Sequence, residues 1–174
     1  MVLIFIRHGK DRESSHKHDE KLRKSGKKKA YKLAKKLIKE YGIPDIIYYS
    51  PYARTRQTLK SMFKAIKKYK KKYNLTGKPS LINEPKLGRL FTGKERKNPD
   101  IRESTLSKGA IITESKEEFR NRIEFHLNEV ITKMEQNNSK IWNITHSLVL
   151  VHIAKIRNIE LPEHLDYLEK IVIE

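Results

Sequence analysis

The sequence predicts an α/β fold: a three-layer sandwich with a mostly parallel central sheet and helices on both faces. Two patterns predict it. Short apolar runs alternate with longer segments whose apolar residues recur at helical spacing, the order of strand–helix–strand units. Three of those runs end abruptly in polar residues suited to chemistry, as strands do at the ligand-binding rim of an open α/β sheet. Length adds a bound. The 174 residues make a single domain, 1–174, long enough to bury a real core.

The elements follow in order. Residues 2–6, Val-Leu-Ile-Phe-Ile, read as a buried strand ending in Arg7-His8-Gly9. A polar loop covers about residues 10–20. Ala30, Leu33, Ala34, Leu37, Ile38 and Tyr41 then share one helix face, and Gly42 with Pro44 beyond it ends that helix. Residues 46–49, Ile-Ile-Tyr-Tyr, read as a second buried strand. Ser50-Pro51 reads as a helix start, Ser50 as N-cap and Pro51 in the first helical position. The stripe Leu59, Met62, Phe63, Ile66, Tyr69 and Tyr73 follows; its spacing assigns the two tyrosines to the end of the core face rather than to a basic–aromatic patch around Lys70-Lys71-Lys72.

Gly77 and Pro79 break the chain, and residues 80–82 read as a short strand. Residues 83–114 show no clear period, which in a compact domain marks a functional or mobile segment. Ser115 and Glu118 fit a capping box that opens a helix with Phe119, Ile123, Leu127, Val130, Ile131 and Met134 on one face. Residues 140–145 read as a strand ending in His146, residues 147–156 as a helix and residues 168–173 as a last strand. Trp142 is expected in the core.

Composition excludes several functions. There is no cysteine, so a thiolate phosphatase, a thiol protease and an iron–sulfur protein are ruled out. Neither a Gly-x-x-x-x-Gly-Lys-Ser/Thr loop nor a Gly-x-Gly-x-x-Gly turn occurs, and no His-Glu-x-x-His. No apolar stretch approaches the roughly 20 residues of a membrane span, so no membrane partner is expected. The opening run does not have the flanks of a signal peptide, and an intracellular, cytoplasmic location is the expectation. The formal net charge is +18. Its lysines are spread along the polar sides of the expected helices and read as solvated faces. A nucleic-acid partner fits the charge but is the less favoured reading.

If the strands ending at Arg7-His8, at Ser50 and at Thr145-His146 are neighbours, two histidines and two arginines face one small space. Phosphoryl transfer needs such a site. The transferring group carries spread negative charge that fixed cationic donors stabilise. Arginine grips phosphate oxygens bidentately. A neutral histidine can attack phosphorus, and neighbouring guanidinium charge favours the neutral ring. A helix start near Ser50 would add backbone donors.

These residues resemble the histidine phosphatase superfamily, also called phosphoglycerate mutase-like. Its opening Arg-His-Gly is matched by Arg7-His8-Gly9. Its Ser-Pro-x-x-Arg-Ala/Thr-x-Gln-Thr motif is matched by Ser50, Pro51, Arg54, Thr55, Gln57 and Thr58, and its strand-end histidine by His146. Leu22 and Gly26 resemble the family's Leu-Thr-x-x-Gly helix start, with Arg23 in place of threonine. The resemblance spans nearly the whole chain in order. It implies that His8 attacks phosphorus and becomes phosphohistidine, that Arg7 and Arg54 hold the phosphate, and that His146 contacts the transferring oxygens. It implies no metal and no organic cofactor, and a phosphorylated small molecule or phosphoprotein as partner.

One position departs from the family. Its acid, often in Leu-x-Glu-x-x-x-Gly, would protonate the leaving oxygen. Here the aligned stretch is Leu87-Gly88-Arg89-Leu90-Phe91-Thr92-Gly93. Glu84, Glu95, Asp100 and Glu103 are the nearby carboxylates, and Glu84 is the candidate acid. Losing such an acid costs about 10²–10⁴-fold. The chain is then expected to favour good leaving groups such as phosphoramidates, or to be a weak or inactive module that binds a phosphorylated or polyanionic partner. The short length and Leu148-Val149-Leu150-Val151 resemble the phosphohistidine phosphatase branch, whose members lack this acid. Length and Lys10 argue against a mutase. His16 and His18 read as solvated loop histidines, His126 and His152 as packing histidines, and Arg56 as pointing away from the site. His164 receives no role.

Overall fold

The structure is a computed structural model, in which residues 1–11, 21–88, 114–162 and 165–174 are described. Its elements run β1 (Val2–Arg7), α1 (Lys24–Tyr41), β2 (Ile46–Tyr49), α2 (Ala53–Lys72), β3 (Ser80–Asn83), a 3₁₀ turn (Pro85–Leu87), α3 (Lys116–Asn137), β4 (Lys140–Thr145), α4 (Ser147–Ile156) and β5 (Lys170–Ile173). The five strands form one sheet in the order β3-β2-β4-β1-β5. β3, β2, β4 and β1 are mutually parallel, and β5 closes the edge antiparallel to β1. The sheet is therefore mostly parallel and covered on both sides, as expected.

The strand period of two divides the core between the two faces. Val2, Ile4 and Ile6 of β1, with Trp142 and Ile144 of β4, pack under α1 and α2. Leu3 and Phe5, with Ile141 of β4 and Tyr48 of β2, pack under α3 and α4. Each fully buried large apolar side chain stabilises the fold by about 1.5–3 kcal/mol relative to exposure. Trp142 is fully buried.

The helices bury the stripes read from the sequence. α1 buries Ala30, Ala34, Leu37 and Ile38, α2 buries Leu59, Met62 and Ile66, and α3 buries Phe119, Ile123, Leu127, Val130 and Met134. Gly42 ends α1 at φ 86°, a conformation that suits glycine, and its N–H bonds the Ile38 carbonyl. The capping box of α3 is present: the Ser115 hydroxyl accepts from the Glu118 N–H, and the Glu118 carboxylate accepts from the Ser115 N–H. Tyr73 is half exposed beyond α2 and its ring meets Tyr69 at a tilt, centroids 4.5 Å apart, so the core stripe ends one turn earlier than its spacing suggests.

One start differs. α2 begins at Ala53 with Tyr52 as N-cap, not at Pro51 with Ser50 as cap. Two side chains explain it. The Ser50 hydroxyl is engaged by His146 at 3.0 Å. The Thr55 hydroxyl reaches back to the carbonyls of Ser50 and Tyr52, at 2.6 and 2.7 Å, and holds Ser50-Pro51-Tyr52 as a turn. Among the described residues no helix is long and apolar enough to cross a membrane.

Candidate active site

The sheet order makes the site. β4 lies between β2 and β1, so the strand end carrying His146 sits between those leading to Arg54 and His8. The His8 N–H bonds the Thr145 carbonyl and the Ser50 N–H bonds the Ile144 carbonyl, at 2.9 and 3.0 Å. These backbone bonds set three chain segments at one depth on the rim.

His8 is buried, 6% exposed. Its Nδ1 lies 2.9 Å from the Gly9 carbonyl oxygen. A carbonyl only accepts, so Nδ1 carries the proton and the neutral ring keeps its lone pair on Nε2. His146 lies edge-on to His8 with ring centroids 5.3 Å apart. Arg54 donates from Nε and Nη2 to His146 Nδ1, both at a long 3.4 Å. Arginine only donates, so His146 Nε2 carries the proton and donates to Ser50 Oγ. The Tyr52 ring meets His146 edge-on at 4.9 Å and lies 5.2 Å from the Arg54 guanidinium. Two buried histidines are thus held in opposite tautomers by groups of fixed polarity.

Arg7 ends β1, directly before His8. Its Nη1 donates to the Leu165 carbonyl, and its guanidinium lies 4.3 Å from the Tyr167 ring centre. Tyr167 is also 5.8 Å from the His8 ring, and its hydroxyl donates to Asp11 at 3.1 Å. A groove of about 880 Å³ opens beside Arg7 and Ser147 and runs past Leu148, Val151 and Leu165.

The remaining motif residues fasten the frame. The Thr58 hydroxyl donates to the Arg54 carbonyl at 2.7 Å and accepts the Gly9 N–H at 3.0 Å. Gln57 Oε1 accepts the Leu22 N–H at 3.0 Å. Both tie α2 to the chain that follows β1. Gly26, in the first turn of α1, packs directly on Lys10: a Cβ there would sit 2.3 Å from the Lys10 carbonyl oxygen.

Glu84 is nearly buried beside the rim, just after β3. Its Oε1 accepts the Lys86 N–H at 2.9 Å, capping the 3₁₀ turn, and its Oε2 faces His126 Nδ1 at 3.7 Å. The Thr145 hydroxyl bonds the Leu87 carbonyl at 2.8 Å and anchors that turn to β4. His126 is buried and its Nε2 bonds Asn143 Oδ1 at 2.9 Å; burial holds its pKa below the ordinary histidine value. His152 is half-buried, with its pKa also lowered by burial. Arg56 is exposed. His16, His18, His164, Arg89, Glu95, Asp100 and Glu103 lie outside the described residues.

The structure brings His8, His146 and Arg54 together, with Arg7 flanking His8. Sequence reasoning missed Tyr167 and the Leu165 carbonyl. Nothing local marks them; they arrive because β5 pairs with β1 and carries the preceding segment to the rim. Ser50 was legible as a motif residue, but its bond to His146 was not.

The sequence matches the family profile of the histidine phosphatase superfamily (branch 1) over residues 3–166. No curated protein sequence matches it. Solved structures of similar fold include the putative phosphohistidine phosphatase SixA from Agrobacterium tumefaciens, at TM-score 0.64 and 14% identity over 98% of this chain and 89% of that one. The ecdysone phosphate phosphatase from Bombix mori, in complex with tungstate, matches at TM-score 0.69 and 13% identity, over 99% and 88%. A phosphoglycerate mutase from Bacillus anthracis matches at TM-score 0.66 and 17% identity, over 100% and 88%.

Proposed function

Because the chain belongs to the histidine phosphatase superfamily, we propose that it hydrolyses a phosphomonoester or phosphohistidine through a phosphohistidine on His8. The observation that carries this reading is the bond from His8 Nδ1 to the Gly9 carbonyl. It directs the lone pair of the neutral ring to Nε2, the atom that must attack.

The Nε2 lone pair forms a bond to phosphorus as the bond from phosphorus to the leaving oxygen or nitrogen breaks. A proton joins the leaving atom. Water then attacks phosphorus and gives its proton to the carboxylate left on the donor by the first step, the P–N bond to His8 breaks with its electron pair returning to Nε2, and inorganic phosphate leaves. Arg7 and Arg54 neutralise charge on the transferring oxygens, and the Nε2–H of His146 can turn from Ser50 Oγ toward them. Glu84 is assigned the proton donor. Its resting bond to the Lys86 N–H and its proximity to His126 make leaving-group quality matter, which favours phosphohistidine. SixA from Agrobacterium tumefaciens, whose fold this chain shares, is a putative phosphohistidine phosphatase, a substrate class in keeping with this reading.

The test is direct. Labelled phosphohistidine peptide and labelled 4-nitrophenyl phosphate are each mixed with protein and quenched in base, which preserves phosphohistidine. Wild type should trap label on His8, His8→Ala should trap none, and EDTA should leave turnover intact because guanidinium groups supply the charge. Glu84→Gln should lose about 10²–10⁴-fold on an alkyl phosphate and little on 4-nitrophenyl phosphate. If His8→Ala turns over as wild type does, the nucleophile assignment fails. Phosphopeptide binding without turnover by wild type would replace the enzyme reading with a binding module.

A further inference from the structure

The positive charge is not spread evenly over the helices. α1 carries eight lysines against one acidic residue, Glu40, and α2 carries nine basic residues and no acidic one. α3 is longer than either and carries four basic and five acidic residues. A general preference for lysine in the chain would load all three alike. It does not.

The fold then places both cationic helices on the same side of the sheet, over Val2, Ile4 and Ile6. Residues that alternate with other segments along the chain become one surface. Lys28, Lys32, Lys35 and Lys39 of α1 are all exposed, at spacings of four, three and four. Lys60, Lys64, Lys67 and Lys71 of α2 are exposed and repeat the same spacing. Each set forms a stripe along the outer side of its helix. At 1.5 Å per residue a stripe runs about 16 Å, and packed helices lie about 8–10 Å apart. Neighbouring lysines in a stripe have Cβ atoms about 5–6 Å apart, inside the Debye length of about 8 Å at physiological salt. They reinforce one another's potential.

We infer that the outer face of α1 and α2 binds the phosphate backbone of a nucleic acid without sequence preference. Two rows of lysine point charges neutralise phosphates but do not read base edges, a task suited to arginine forks and amides. A face lying on a membrane would instead carry exposed apolar side chains between the lysines. The large exposed apolar residues closest in sequence, Tyr73 and Leu75, stand beyond the end of α2 rather than within the stripes. None of the eight lysines belongs to the site around His8, so this inference stands apart from the phosphatase reading.

The experiment is fluorescence anisotropy of a labelled duplex DNA of about 24 base pairs, titrated across salt concentrations. The proteins are wild type, the quadruple variant Lys35→Gln/Lys39→Gln/Lys64→Gln/Lys67→Gln, the same four sites changed to arginine, and Arg120→Gln on α3. Wild type should bind at low salt and weaken linearly in a log–log plot. The glutamine variant should lose at least about tenfold in affinity, and its slope should shrink by about 0.9 for each phosphate contact removed. The arginine variant and Arg120→Gln should bind as wild type does. Unchanged circular dichroism and turnover would show that the glutamine variant is folded. Absence of wild-type binding at low salt would overturn the inference. So would a glutamine variant that binds equally well, or tighter binding to phosphatidylserine vesicles than to the duplex.

Discussion

Gly26→Ala sets two effects of known sign against each other. Alanine in place of glycine within a helix gains about 0.5–1 kcal/mol from propensity. Against that, the new Cβ would sit 2.3 Å from the Lys10 carbonyl oxygen, 2.9 Å from its nitrogen and 3.1 Å from its carbonyl carbon. These are backbone atoms, so no rotamer relieves the overlap, and a normal separation requires the two segments to part by about 1 Å. Overpacking of this kind costs typically 1–3 kcal/mol, occasionally more, and the steric term should win by about 1–2 kcal/mol. At 2–4 °C per kcal/mol for a domain of this size, Tm should fall by about 2–8 °C. The displaced segment is the one that carries His8 and Gly9, so activity should fall further than stability. A misplacement of about 1 Å can cost 10²-fold. Thermal denaturation and steady-state kinetics on 4-nitrophenyl phosphate read the two effects separately. A Gly26→Ala protein with raised Tm and unchanged kcat would show that helix propensity alone operates there, and would refute the proposed packing of α1 on the nucleophile loop.

Ser50→Ala removes the acceptor of the buried His146 Nε2–H; leaving such a group unpaired costs about 1–3 kcal/mol, so denaturant unfolding should show that loss, with kcat falling more than KM rises. His126 and His152 both have folded pKa values lowered by burial. The unfolded chain therefore binds protons first as pH falls. Stability from these groups is complete above the unfolded histidine pKa of about 6.5 and declines below it until the folded pKa is passed. Urea unfolding between pH 7.5 and 5 should show this decline, and His126→Gln, which keeps a donor for Asn143, should flatten it; an unaltered slope would count against a neutral buried His126.

Much of the layered fold was legible because its strands and helices have opposite periods. Val2, Ile4 and Ile6 against Leu3 and Phe5 signal a strand buried on both faces, and the α3 stripe with its Ser115–Glu118 capping box signals a helix and its start. The beginning of α2 departs from the local pattern because Ser50 and Pro51 satisfy a capping rule, while His146, 96 residues away, takes the Ser50 hydroxyl. A long-range partner outweighed a local preference. The motif Arg54-Thr55-x-Gln57-Thr58 was readable as a set, but the work of Gln57 and Thr58, holding Leu22 and Gly9 by their backbone N–H groups, required the chain to be folded.

What the sequence determined alone is the inventory: a nucleophile-type histidine after a buried strand, its cationic companions, and lysines on the outer sides of helices. These follow from residue identity and from periods of 3.6 and 2, which act over a few residues. What the tertiary structure decided is adjacency. Inserting β4 between β1 and β2 puts His146 between His8 and Arg54, and the β5 pairing brings Tyr167 and Leu165 to Arg7. Packing α1 and α2 on one face gathers dispersed lysines into a single cationic surface. Strand order and helix side are set by which apolar faces bury one another across the chain, and no local window contains that information.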